Sequence, residues 1–245
     1  MTTLVTIVQN VCDQVLVSRP TEVIGSTDRT ARQMLALLNR GGKTLARVKN
    51  AWGGGWQVLE RVHTFTTTAS EDEYSLPSDF ENLLMDTAWD RDNYWMVRGP
   101  ASPMVYQQIK SGLVEPSQLR KIWRIRRIAD GSDGTRKFTL IPEPSAAEAM
   151  AFEYLSNGWV ADSAGTTFAD SFTADDDEPL LDPMLLELDL LWRFRMAKGL
   201  DFAGYLAEFE QERDRKIGAE VPARLKLASP MHRLPPVNIP DSGFG

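Results

Sequence analysis

Apolar residues recur along this chain with two different periods, and the change between them divides the sequence. Leu4, Ile7, Val8, Val11, Val15 and Leu16 keep helical spacing, which predicts a helix over residues 3–17 ended by Ser18-Arg19-Pro20. Ala31, Met34, Leu35 and Leu38 form a second stripe, with Ser26 and Asp28 available as caps. Gly41-Gly42 are expected to break or bend this helix before it resumes through Leu45, Ala46 and Val48. Three glycines between Trp52 and Trp56 read as a turn or a site of close approach.

From about residue 61 the pattern becomes strand-like. Val62, Thr64 and Thr66 alternate, and Ser70-Glu71-Asp72-Glu73 reads as an acidic turn. Residues 76–80 form a loop carrying a helix or turn start, followed by the apolar run Leu83, Leu84, Met85, Ala88 and Trp89. Residues 94–97 predict a short strand, and residues 104–111 a short helix after Ser102-Pro103. Residues 118–144 predict a strand–turn–strand hairpin about Gly131-Ser132-Asp133-Gly134, and residues 149–156 a further strand. Residues 158–177, rich in Gly, Ser, Thr and Asp, read as a long loop.

A helical hairpin follows. Asp182-Pro183 is a cap and a first-turn proline. Met184, Leu185, Leu188, Leu191, Trp192 and Met196 then keep helical spacing, with Leu186, Leu190 and Phe194 on the flanks. A helix apolar over so much of its circumference needs cover on more than one side. Gly199 is the expected C-terminal cap and Asp201 the next N-terminal one. The second helix has a narrower stripe of Phe202, Tyr205, Leu206 and Phe209, and pairs Glu212 with Lys216 at i, i+4. Residues 219–245 hold five prolines and cannot form a regular helix, yet carry Leu225, Leu227, Leu234, Val237, Ile239 and Phe244, which favours docking on a partner.

The expected fold class is α+β: a helical core with a small antiparallel β insertion and an extended C-terminal arm. Its parts are residues 1–60 (helical), 61–160 (antiparallel β with short helices), 161–218 (loop and helical hairpin) and 219–245 (arm). The hairpin and the arm supply the candidate interface: Leu185, Leu188, Trp192, Met196, Phe202 and the six apolar arm residues.

Bulk properties narrow the chemistry. The net charge of -7 argues against a general nucleic-acid binder, because phosphate affinity comes from Lys and Arg. The lone Cys12 allows no intrachain disulfide and fits synthesis in a reducing cytoplasm. No segment reaches the ~20 apolar residues of a membrane span. Asp175-Asp176-Asp177-Glu178 lacks the alternation and glycine of a calcium loop, and reads as a solvated loop favouring the next helix. His63 and His232 are too few for a zinc site and lie in no nucleophile motif. Gly53-Gly54-Gly55 lacks the Lys-Ser/Thr of a phosphate cradle. No general acid–base pair stands out, so neither enzyme activity, nor a metal, nor a cofactor is expected. Arg120, Lys121, Arg124, Arg126 and Arg127, interleaved with Trp123 and isoleucines, are the candidate contact for DNA or for an acidic partner; the alternative is one exposed strand face.

Four stretches together resemble a known family: EYSLPSDFENLLMDTAWD, VRGPASPMVYQQIKSG, FTLIPEP with AFEYLSNGWV, and DDDEPLLDPMLLELDLLWRFRMAKGLDFAGYLAEFE. They are similar to the head-to-tail adaptor, or connector, proteins of tailed bacteriophages. The resemblance runs from the first helix to Gly218 and includes no catalytic signature. It implies a virion structural protein of the neck that forms a ring, usually of about twelve copies, under the portal. Its implied partners are further copies of itself, the portal protein, a tail or nozzle/stopper protein, and DNA passing through the lumen without sequence-specific binding. The alternatives are a tail-side stopper or terminator ring, and a nucleic-acid-binding module using Arg120 to Arg127.

Overall fold

The structure is a computed structural model that describes residues 2–49, 55–111, 120–127 and 136–220. Helix α1 (Leu4–Gln14) and helix α2 (Arg29–Ala46) arise on the first two stripes, but α1 stops before Val15 and Leu16, the latter at φ +57° and 94% exposed, and α2 stops before Val48. Asp28 caps α2 by accepting the Ala31 N–H at 3.0 Å. Gly41 and Gly42 do not break α2, which continues through them. They let neighbours approach: a Cβ on Gly41 would lie 1.8 Å from Asp189 Oδ2, and one on Gly42 would lie 2.2 Å from the Trp159 ring. The expectation of a break fails because both glycines trade helix propensity for contact.

Helix α3 (Pro103–Lys110) starts at the Ser102 cap. Helix α4 (Pro183–Ala197) has Asp182 accepting the Met184 N–H at 2.8 Å. Gly199, at φ +71°, ends it, with the Leu200 N–H returning to the Arg195 carbonyl. Helix α5 (Ala203–Ala219) folds back along α4. The expected Glu212–Lys216 pair is replaced: Glu212 binds Arg215, and Lys216 reaches Asp182 at the start of α4.

Eleven strands lie among the described residues: β1 (Glu60–Thr66), β2 (Glu73–Ser75), β3 (Phe80–Leu83), β4 (Trp89–Asp90), β5 (Trp95–Met96), β6 (Ile122–Arg127), β7 (Arg136–Ile141), β8 (Ala149–Ser156), β9 (Val160–Ala161), β10 (Phe168–Ala169) and β11 (Glu178–Pro179). They make three antiparallel sheets. The first has the order β1-β8-β4-β5, with β3 also on β8; the others are β2-β7-β6 and β10-β9-β11.

These sheets correct the expected architecture. The fold is mixed α+β, but it is not a helical core with a small β insertion. The first two sheets enclose a core of their own, with Phe80, Trp123, Phe138, Phe152 and Tyr154 stacked through it. The segment expected to be a long loop supplies β9 and β10 and leads into β11, and the loop after residue 76 supplies β3. Strands of two to four residues carry no readable period, whereas β8, expected as a strand, buries side chains on both faces at the centre of the first sheet. The strands around the acidic turn do not pair with each other: β1 joins β8, whereas β2 joins β7. The β6–β7 hairpin does form, with Trp123 opposite Leu140 and Ile125 opposite Phe138, and its turn lies outside the described residues.

A second core joins the helices. Leu4, Ile7, Val8 and Val11 of α1, Met34 and Leu38 of α2, and Leu185, Leu186 and Leu190 of α4 meet Trp56, Leu59 and Trp159. The Trp56 indole N–H donates to the Leu45 carbonyl and that of Trp159 to the Asp170 carbonyl, each at 2.8 Å, so both rings bury without an orphaned donor.

Candidate interaction surface

Helix α4 is covered by its own chain. With α1, α2 and α5 against it, Leu185 is fully buried and Leu188 is 9% exposed. Both are therefore core positions of the subunit, a correction to their reading as interface residues. Trp192 and Phe202 are half-buried where α4 meets α5, with ring centroids 6.5 Å apart, and Trp192 lies 6.2 Å from Phe209. The Trp192 N–H donates to Asp189, and Arg193 binds the other carboxylate oxygen at 2.7 Å. Burial pushes the Asp189 carboxyl up, against the opposing pull of Arg193.

What α4 leaves outside is Met184 in its first turn and, at its other end, the hairpin turn. Met196, Leu200 and Tyr205 are exposed around the hairpin turn, with the Arg195 guanidinium 4.6 Å from the Tyr205 ring centre. Met196 is thus the one expected hairpin interface residue that is exposed, and Leu200 joins it. The expected arm residues Leu225, Leu227, Leu234, Val237, Ile239 and Phe244 lie outside the described residues.

The basic strand is largely spent within the subunit. Lys121 is paired with Asp90 and Glu148 in a nearly closed site. Its ammonium and two Asn93 N–H donors hold Asp90 below the usual carboxylate range against the opposing effect of burial. Arg126 donates to the Tyr106 hydroxyl at 3.0 Å and approaches Glu73 at 3.8 Å. Arg124 and Arg126 lie over the Tyr106 ring, and Arg120 over Trp95. Arg127 closes the strand at its exposed end. Alternation on β6 sends Trp123 into the core and Arg124 and Arg126 towards α3, where Tyr106 uses them as packing surface.

The acidic cluster is structural as well. Asp175 accepts the Val23 and Ile24 N–H groups, at 3.1 and 2.8 Å. Asp177, 3% exposed, accepts from the Thr173 and Ala174 N–H groups, while its own carbonyl takes the Leu4 N–H. The Asp175 carboxylate thus fastens the loop to residues 23–24, the Asp177 carboxylate closes the loop on itself, and the Asp177 carbonyl ties it to the start of α1. His63 is packed between Phe65 and Phe152, and burial pushes its pKa down. His232 lies outside the described residues.

One surface feature was not expected from the sequence. A groove of about 510 Å³ opens on the outer face of the first sheet, lined by Val62, Trp89, Tyr94 and Ala151 among others. Val62 is 59% exposed and Tyr94, held at φ +57° after the Asp90–Asn93 turn, is 86% exposed. The alternation around Val62 puts it on one face with Thr64 and Thr66 but does not say that this face is outward; the burial pattern of β1 does. Tyr94 gave no such signal, because its position depends on the turn.

The chain matches the family described as SU10 adaptor protein over residues 2–233. No curated protein matches it.

Proposed function

The chain belongs to the SU10 adaptor protein family, and from that premise we propose that it is a non-enzymatic structural protein of the phage virion, joining the portal of the head to the tail as a homo-oligomeric ring in the neck. The observation that carries the reading is a family match spanning nearly the whole chain. Two features support it. Apolar residues stand exposed at the turn between α4 and α5, suited to a neighbouring copy or the portal. Cations of β6 are engaged with the chain itself, and the net charge is -7, which suits a lumen that lets DNA pass without gripping it.

Native mass spectrometry of the chain mixed with its portal protein tests this. The expected result is a complex with several adaptor copies per portal ring, weakened by deletion of residues 221–245 and by charge at Met196 and Leu200. A chain that stays monomeric and unbound at micromolar portal would overturn the reading. A tail-tube protein captured in place of the portal would reassign it to the tail side.

A further inference from the structure

Strand β1 is the edge of the first sheet, and its partner β8 covers only one side of it. The Thr67 N–H donates to the Glu148 carbonyl at 2.9 Å, so Thr67 faces β8. Counting back by twos, Phe65, His63 and Arg61 also face β8. Thr66, Thr64, Val62 and Glu60 therefore turn their backbone N–H and C=O groups outward. No described backbone segment pairs with that side. An unpaired edge of seven residues is a template for another strand.

The chain delivers a candidate strand to this edge. Helix α5 ends at Glu220, whose carbonyl and carboxylate bind the side chain and the backbone N–H of Gln57, at 2.8 and 3.0 Å. Gln57 stands three residues before Glu60, so the remaining chain leaves beside the start of β1. Next in the sequence comes Val221-Pro222, then Ala-Arg-Leu-Lys-Leu-Ala-Ser over residues 223–229, then Pro230. The proline-free stretch is seven residues long, the same length as β1. It alternates cation and leucine, and prolines bound it where pairing would have to begin and stop.

The two faces of β1 fit that alternation. On one, Arg61, His63 and Phe65 are half-buried, and Phe65 packs on the core at Tyr74 and Phe138. That core is therefore open at the edge. On the other, Glu60 lies near Glu153 and Glu220; burial first, then these two carboxylates, push its pKa up. Three carboxylates thus gather where the chain exits. We propose that residues 223–229 add to the open edge of β1 of the same chain as a parallel strand, with Leu225 and Leu227 on the His63–Phe65 side and Arg224 and Lys226 on the Glu60 side. A strand starting at Glu220 and running alongside β1 is parallel by necessity. Residues 230–245 then leave from the Thr66 end. This goes beyond the ring reading and needs neither ring nor portal.

Hydrogen exchange on the isolated full-length chain tests it, against the full-length variant Leu225→Pro/Leu227→Pro. In the variant the Val62 and Thr64 amides should exchange at least about tenfold faster, while the β8-facing amides of His63 and Phe65 keep their rates. Equal Val62 and Thr64 rates in both chains would overturn the proposal. Should the variant loosen β1 as a whole, cysteine pairs decide in a chain otherwise unaltered. Val62→Cys with Arg224→Cys or Lys226→Cys should give, from one of the two, a disulfide within the monomer, and Val62→Cys with Leu225→Cys should not. Disulfides only between chains, or none, would refute docking within the chain.

Discussion

Replacing Gly41 by alanine tests how closely α2 and α4 approach. On an exposed helix the change stabilises by about 1 kcal/mol through helix propensity alone. Here the added Cβ would fall 1.8 Å from Asp189 Oδ2 and 3.0 Å from its Cγ. Asp189 is fully buried, and its carboxylate is held by Arg193 and Trp192. Moving it strips partners from a buried charge, which costs about 3–5 kcal/mol when such a pair is broken. The expected net effect is a loss of about 2–4 kcal/mol, and at about 2–4 °C per kcal/mol for a chain of this size the Tm falls by about 4–16 °C. Thermal unfolding followed by circular dichroism measures it. Gly218→Ala is the control: α5 leaves open space around that glycine, so the same chemical change should raise Tm. If Gly41→Ala matches or exceeds the parent in Tm, propensity has won and the close contact of α2 with α4 is wrong.

The Tyr154 hydroxyl donates to Asp79 at 2.9 Å, and burial, with that carboxylate, pushes its pKa up to about 12. The folded state therefore holds this proton longer than the unfolded state does, so stability should fall as pH rises from about 10 to 12, by up to about 3 kcal/mol. Denaturant titrations across that range should show a steeper slope in the parent than in Tyr154→Phe, where buried Tyr74 still contributes. Asp182 both caps α4 and meets Lys216 of α5. Burial alone would raise its pKa, but Lys216 and the Met184 N–H outweigh it and hold the carboxyl below its usual range. Asp182→Ala should cost about 1–2 kcal/mol in urea denaturation, with Asp182→Asn retaining part of the cap.

The helices were legible because each is long enough to show its period and punctuated by its own caps. The starts of α1 and α2, the Asp182-Pro183 start and the Gly199 end sit where the residues put them, although α1 ends before Val15 and Leu16 of its stripe. The β6–β7 pairing and β8 could be read for the same reason, as runs of six to eight residues. Of the candidate site the sequence supplied Met196, but it did not tell Met196 from Leu185. An apolar residue looks the same whether its cover comes from its own chain or from another, and only packing showed that α1, α2 and α5 close over α4. The glycines of α2 were read by local propensity, yet their role is set by Asp189 and Trp159, more than a hundred residues away in the chain. Charge counting alone cannot tell that Tyr106 engages Arg124 and Arg126 of β6, or that Asp90 and Glu148 hold the neighbouring Lys121. The residues by themselves determined where the helices begin, the capped ends of α4, and the mixture of α and β. Three-dimensional packing decided which surfaces remain for a partner, because exposure belongs to pairs of elements brought together and not to any one stretch of chain.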